Sequence, residues 1–117
     1  MDLHDLVDAL VSRDALRARQ WVADSARAGF DWTHVPEPGG LDATGLAVAA
    51  AVVELMAGRQ GKNPARWTSS VPAAPRRMYL VRAAESLPRL RRLCDEEGPE
   101  PLRRRGLLAP PDFLTAA

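Results

Sequence analysis

The sequence predicts an all-α fold: a small helical bundle with long proline-rich loops and an extended C-terminal tail. Three observations predict it. Every strongly periodic apolar segment repeats with helical spacing. No pair of alternating runs flanks a two-residue hairpin turn. The prolines and glycines fall between the periodic segments or at their ends, where they punctuate helices rather than interrupt them. A chain of 117 residues suits a single domain, 1–117, with one core. Its parts are a helical core at 1–60, a proline-rich loop at 61–77, arginine-rich helices at 78–106 and the tail at 107–117.

The first helix follows from Leu3, Leu6, Val7, Leu10 and Val11, with Asp2, Asp5 and Asp8 near its start, where negative charge complements the helix dipole. Ser12-Arg13-Asp14 offers a tight turn. A second helix is expected from about Ala15 to Ala28, presenting Leu16, Trp21 and Val22 inward and stopped by Gly29. Two short antiparallel helices are expected over residues 3–28 in preference to one long helix. FDWTHVPEPGG at 30–40 is a connection, after which Asp42 is an N-cap and Leu41 can staple onto Leu46.

The helix expected from Ala43 to about Arg59 is apolar nearly all round, and its small residues permit close approach of neighbours. It is the central, buried helix. Glu54 within it is expected at an exposed rim. GKNPARWTSSVPAAP, 61–75, is long for a connection in a compact domain, which points to a docked loop or to function. MYLV at 78–81 is compatible with helix or strand. Pro88 opens a further helix in its first turn, with Leu90, Leu93 and Cys94 inward and Arg89, Arg91 and Arg92 outward, ended by Gly98. Pro99 or Pro101 starts one more turn, through Arg105 and stopped by Gly106. Beyond it, Pro110 and Pro111 forbid a helix and favour extended backbone.

Composition narrows function by exclusion. Net charge is +1, too balanced to imply nucleic acid or an anionic membrane by itself, but residues 76–105 hold nine arginines against five acids. A single cysteine, Cys94, allows no internal disulfide and suits a reducing compartment. MDLHDLVDAL carries acids where a signal peptide needs positive charge, and the apolar run LAVAAAVV is too short to span a bilayer. A cytoplasmic location without a membrane partner is expected.

No motif of nucleotide, phosphate or paired-acid chemistry is present, and Ser69 and Ser70 have no neighbouring base. His4 and His34 sit in separate segments with no ligand spacing around them, so neither metal nor cofactor is expected. Cys94 follows the pattern of a small core residue. An enzyme is therefore not expected. A helix-turn-helix would need a polar, basic recognition helix, whereas the helix after the first long connection is AVAAAVVELMA.

Two features suit a protein partner instead. Trp67, in the proline-bounded WTSSVP loop, is either a tether for that loop or an aromatic anchor for another surface. The tail places Arg103, Arg104 and Arg105 before Leu107, Leu108, Phe113 and Leu114, four large apolar residues on a backbone that cannot make a regular helix. Such a segment either drapes over its own bundle or fills a partner's groove.

The string W-T-x-x-V-P-x-x-P, Trp67 to Pro75, and PEPLRRRGLLAPPDFL, Pro99 to Leu114, resemble segments in proteins of GC-rich bacteria, some of them antitoxin-like components paired with nucleotidyltransferase-like toxins. The resemblance covers residues 64–114. It implies a protein that works by binding another protein; the chain lacks the DNA-binding helix-turn-helix that many antitoxins carry. The expected function is thus a protein–protein interaction module, in its narrower form an antitoxin-like neutraliser that sterically masks a partner enzyme. The expected contacts are Trp67, Arg103, Arg104, Arg105, Leu107, Leu108, Phe113 and Leu114. The alternative is a nucleic-acid-associated regulator using the arginine-rich C-terminal face.

Overall fold

The computed structural model describes residues 1–115. Its first two helices, α1 (Leu3–Val11) and α2 (Ala15–Ala28), are separate and pack on each other. The chain reverses at Arg13, which adopts a left-handed φ of 58° between the C-cap Ser12 and the N-cap Asp14. Asp2 and Asp14 cap the two helix starts by accepting from the backbone N–H groups of His4 and Arg17. Gly29 closes α2 at φ 67°, a conformation that costs a residue with a Cβ about 1–2 kcal/mol.

The third helix, α3 (Ala43–Arg59), begins at the Asp42 cap and is the centre of the molecule. Ala47 to Val53 are all fully buried, on every side of the helix. The cause is the absence of any polar side chain over those two turns, with four alanines small enough to admit α1, the 66–70 turn and the short helix at Glu100–Arg103 close to the axis. Trp21, Phe30 and Trp32 cover one end of this core as an aromatic trio, with centroids 4.6–5.9 Å apart and rings tilted or edge-on.

The second half is less regular than a row of helices. Residues 61–77 are docked onto the core: Arg66–Ser70 forms a 3-10 turn that buries Thr68, with Ala65 and Val71 buried on either side of it. The arginine-rich segment 78–106 is helical only in part, and MYLV, compatible with helix or strand, begins as strand. Met78–Tyr79 is a short strand, β1, and Arg82–Glu85 is a second 3-10 turn. Helices α4 (Pro88–Glu97) and α5 (Glu100–Arg103) follow, with Pro88 and Pro101 in their first turns.

The chain from Leu107 onward is docked on its own domain. Leu107–Leu108 forms a strand, β2, parallel to β1 in the register Met78 with Leu107 and Tyr79 with Leu108. Backbone N–H groups of Ala74, Met78 and Leu80 donate to the carbonyls of Arg105, Gly106 and Leu108 at 2.8–3.0 Å. Pro110 and Pro111 exclude a helix but leave those carbonyls free to accept, and the crossover through α4 and α5 is what a parallel pair requires. Gly106, at φ 76°, turns the chain from α5 into this strand. Residues 111–114 make a turn, with Phe113 N–H donating to Pro110. The last two positions of the expected tail, 116 and 117, lie outside the described residues. Among the described residues no helix is long and apolar enough to cross a membrane.

Candidate interaction surface

The arginine triplet divides as a short helix must divide it. Arg105, at the inner side of the turn after α5, is buried and forms a two-pronged ion pair with Glu54: Nη1 donates to Oε1 at 2.6 Å and Nη2 to Oε2 at 3.1 Å. Its Nη2 also donates to the Thr68 carbonyl at 2.8 Å, so one side chain ties α3, the 66–70 turn and the C-terminal segment together. Glu54 was expected at an exposed rim; it is instead buried, on the same side of α3 as α5. Burial alone would push its carboxyl up. Arg105's hydrogen bonds and charge, joined by Arg104, more than reverse this and hold it below its ordinary 4.5. Arg104 is half-exposed and reaches inward to the same carboxylate. Arg103 is exposed and donates to the Glu96 carbonyl, across the turn between α4 and α5.

The apolar quartet divides too. Leu107 and Leu108 are fully buried, Leu114 nearly so, and only Phe113 stays half-buried. Leu107, Leu108 and Arg105 therefore belong to the protein's own core and offer no surface to a partner, a correction of their expected role; Leu114 is a core residue that also lines an open groove. The reason is local. Once β2 pairs with β1, alternation along the strand sends Leu107 into the main core and Leu108 into a smaller cluster with Ala84 and Cys94. Trp67 is half-buried, and its indole N–H donates to the Val35 carbonyl at 2.8 Å, tethering the 61–77 segment to the 30–40 connection.

What remains open is a groove of about 510 Å³ between the α1–α2 pair and the C-terminal segment. Leu10, Val22, Leu80, Val81, Phe113 and Leu114 supply much of its apolar lining. Leu16 stands at its edge with 79% of its surface exposed. An inward Leu16 was expected, and the helix phase explains the difference. Ala18, Trp21, Val22 and Ser25 form the buried stripe at i, i+3, i+4 and i+7, and Leu16 lies off it. Applied strictly, that spacing finds the exposed leucine from sequence. Arg13, Asp14, Arg19 and Asp112 line the mouth with both signs of charge.

The arginine-rich C-terminal face is largely engaged within the fold. Arg77 pairs with Asp95 at 2.7 Å, Arg91 donates to the carbonyls of Ala84 and Glu85, and Arg92 lies 4.0 Å from Glu96. With Arg103, Arg104 and Arg105 also turned to acceptors of the chain, few of these cations remain for phosphates. Cys94 is fully buried and burial pushes its thiol up, which suits packing rather than nucleophilic chemistry.

His4 and His34, distant in sequence, line a second hollow of about 610 Å³ together with Asp2, Asp31 and Glu37. Each ring hydrogen-bonds through Nδ1 to its local aspartate at 2.7 Å, His4 to Asp2 and His34 to Asp31. Nothing in the spacing of the two segments signals this meeting. No family model, curated protein or solved structure matches the chain.

Proposed function

We propose that the protein is an interaction module that binds a partner protein through the groove between α2 and the C-terminal segment. The observation that carries this reading is Leu16: a leucine almost wholly in water, at the edge of a groove with a largely apolar lining. Scattered apolar residues are ordinary on a surface, but a leucine continuous with an apolar groove and ringed by charges has the anatomy of a binding patch. Of the apolar tail, Phe113 and Leu114 line it, and half-buried Phe113 offers a rigid aromatic surface. In its narrower form the module is an antitoxin-like neutraliser that masks a partner enzyme. That form rests on the resemblance carried by Trp67–Pro75 and Pro99–Leu114.

Binding would be steric and apolar, with Arg13, Arg19, Asp14 and Asp112 setting orientation more than affinity. The experiment is capture of partners from the native host by the tagged protein, identified by mass spectrometry, beside the variants Leu16→Asp and Phe113→Ala. Leu16 lies in the first turn of α2, where a carboxylate suits the helix dipole, so L16D folds as the parent does. Loss of one buried leucine contact weakens binding by at least about tenfold. A stoichiometric protein retained by the parent and lost by L16D is the expected result. Full retention by L16D, or salt-sensitive retention of nucleic acid with no protein partner, overturns the proposal.

A further inference from the structure

His4 sits in the first turn of α1 with both ring nitrogens facing acceptors. Nδ1 lies 2.7 Å from Asp2 Oδ1, and Nε2 lies 2.6 Å from the carbonyl oxygen of Gly39, 35 residues along the chain. A carbonyl can only accept, and so can an ionised carboxylate. A neutral imidazole carries one N–H and satisfies one of these partners, leaving a lone pair against the other oxygen at hydrogen-bond distance. Only the imidazolium donates to both. From this geometry we infer that His4 is a protonation-dependent clasp, which bridges Asp2 and the Gly39 carbonyl and holds the 36–39 segment firmly on the start of α1 when charged and loosely when neutral.

The surroundings reinforce the charged state. Asp2 and Asp5 lie on or beside the same helix, with the Met1 amino group near Asp2. Across the hollow, the 30–40 connection brings Asp31, Glu37 and His34, of which Asp31 is engaged by His34. Four carboxylates thus face one amino group and a second imidazole, a field that favours a cation on His4. The Gly39 hydrogen bond, then that of Asp2, raises His4 above its ordinary 6.5, and the His4 backbone N–H, then its ring, lowers Asp2. The segment it holds is Pro36-Glu37-Pro38-Gly39, which lines the same hollow as Phe30 and Val35. Loosening the clasp frees that side of the hollow to move, on a face separate from the Leu16 groove. The sign is fixed. The clasp is firm at and below pH 6.5 and loosens as pH rises through the elevated value of His4 in the folded protein.

The test is an NMR titration of the full chain, following the His4 ring together with the Gly39 carbonyl carbon and the Gly40 amide nitrogen, which share one peptide group. The expected result is a common midpoint above 6.5 for all three, with residues 36–40 more mobile at about pH 8.5 than at about pH 5.5. In His4→Gln, which folds because the side chain is 42% exposed, the Gly39 and Gly40 signals become flat across that range. In His34→Ala they keep the parent's midpoint. A His4 midpoint at or below 6.5, glycine signals that do not follow His4, or loss of the transition in H34A overturns the clasp.

Discussion

Replacing Arg105 with methionine keeps an unbranched chain of similar length and removes the guanidinium that holds Glu54. The variant loses two hydrogen bonds to that carboxylate, at 2.6 and 3.1 Å, a third, at 2.8 Å, to the Thr68 carbonyl, and a long one, at 3.4 Å, to the Pro101 carbonyl. Glu54 is then left 9% exposed, with half-exposed Arg104 as its remaining cation. Removing one partner of a buried pair costs about 3–5 kcal/mol. Arg104 still supplies partial compensation, which places R105M near the lower end, at about 3 kcal/mol. Against a total of about 5–15 kcal/mol for a domain of this kind, that is a large fraction. Urea denaturation followed by far-ultraviolet circular dichroism reads it as a lower midpoint at unchanged slope.

The same pair makes a second, sharper demand. In Glu54→Leu/Arg105→Met both charges are gone, no carboxylate is stranded, and the loss falls to about 1–2 kcal/mol, chiefly the unmet Thr68 carbonyl. The pH dependence follows from the lowered carboxyl of Glu54. The pair's contribution is fully present above 4.5 and is lost as pH falls through the folded value below it. In R105M the strongest influence lowering the carboxyl is gone, so the loss of stability on acidification is smaller than in the parent. An R105M protein within about 1 kcal/mol of the parent, or a double variant no better than R105M, refutes the assignment of this pair as the tie between α3 and the C-terminal segment.

Three further outcomes follow from the packing. Deleting the chain from Leu107 onward removes three buried leucines, worth about 1.5–3 kcal/mol each, so the truncated protein melts far below the parent or aggregates; an unchanged melting curve shows that the segment is not part of the core. Gly98→Ala places a Cβ 2.6 Å from the carbonyl oxygens of both Ala109 and Cys94, backbone atoms that cannot swing aside, and lowers stability by about 1–3 kcal/mol in thermal or urea unfolding. Cys94, buried with its thiol raised, reacts slowly with a thiol-specific chromophore in the folded protein and rapidly in denaturant; rapid reaction under native conditions contradicts its burial.

The helical half of the molecule is written locally. The stripe Leu3, Leu6, Val7, Leu10, the caps Asp2, Asp14 and Asp42, the stops Gly29 and Gly98, and the proline at the start of α4 all act within one or two turns. Spacing therefore suffices to place α1, α2, α3 and α4 in the sequence. The partnership of Glu54 with Arg105 spans 51 residues, and that of His4 with Gly39 spans 35, so neither leaves a periodic trace. The same holds for β2. Its two residues form a strand only because α4 and α5 return the chain to the open edge of Met78–Tyr79. By composition Leu107, Leu108, Phe113 and Leu114 are alike, four apolar side chains near two prolines. The sequence by itself determined that they had to be covered. Which of them the protein covers itself, and that Phe113 is left to line the groove beside Leu16, was decided by the tertiary structure, because burial depends on which surface the returning chain meets.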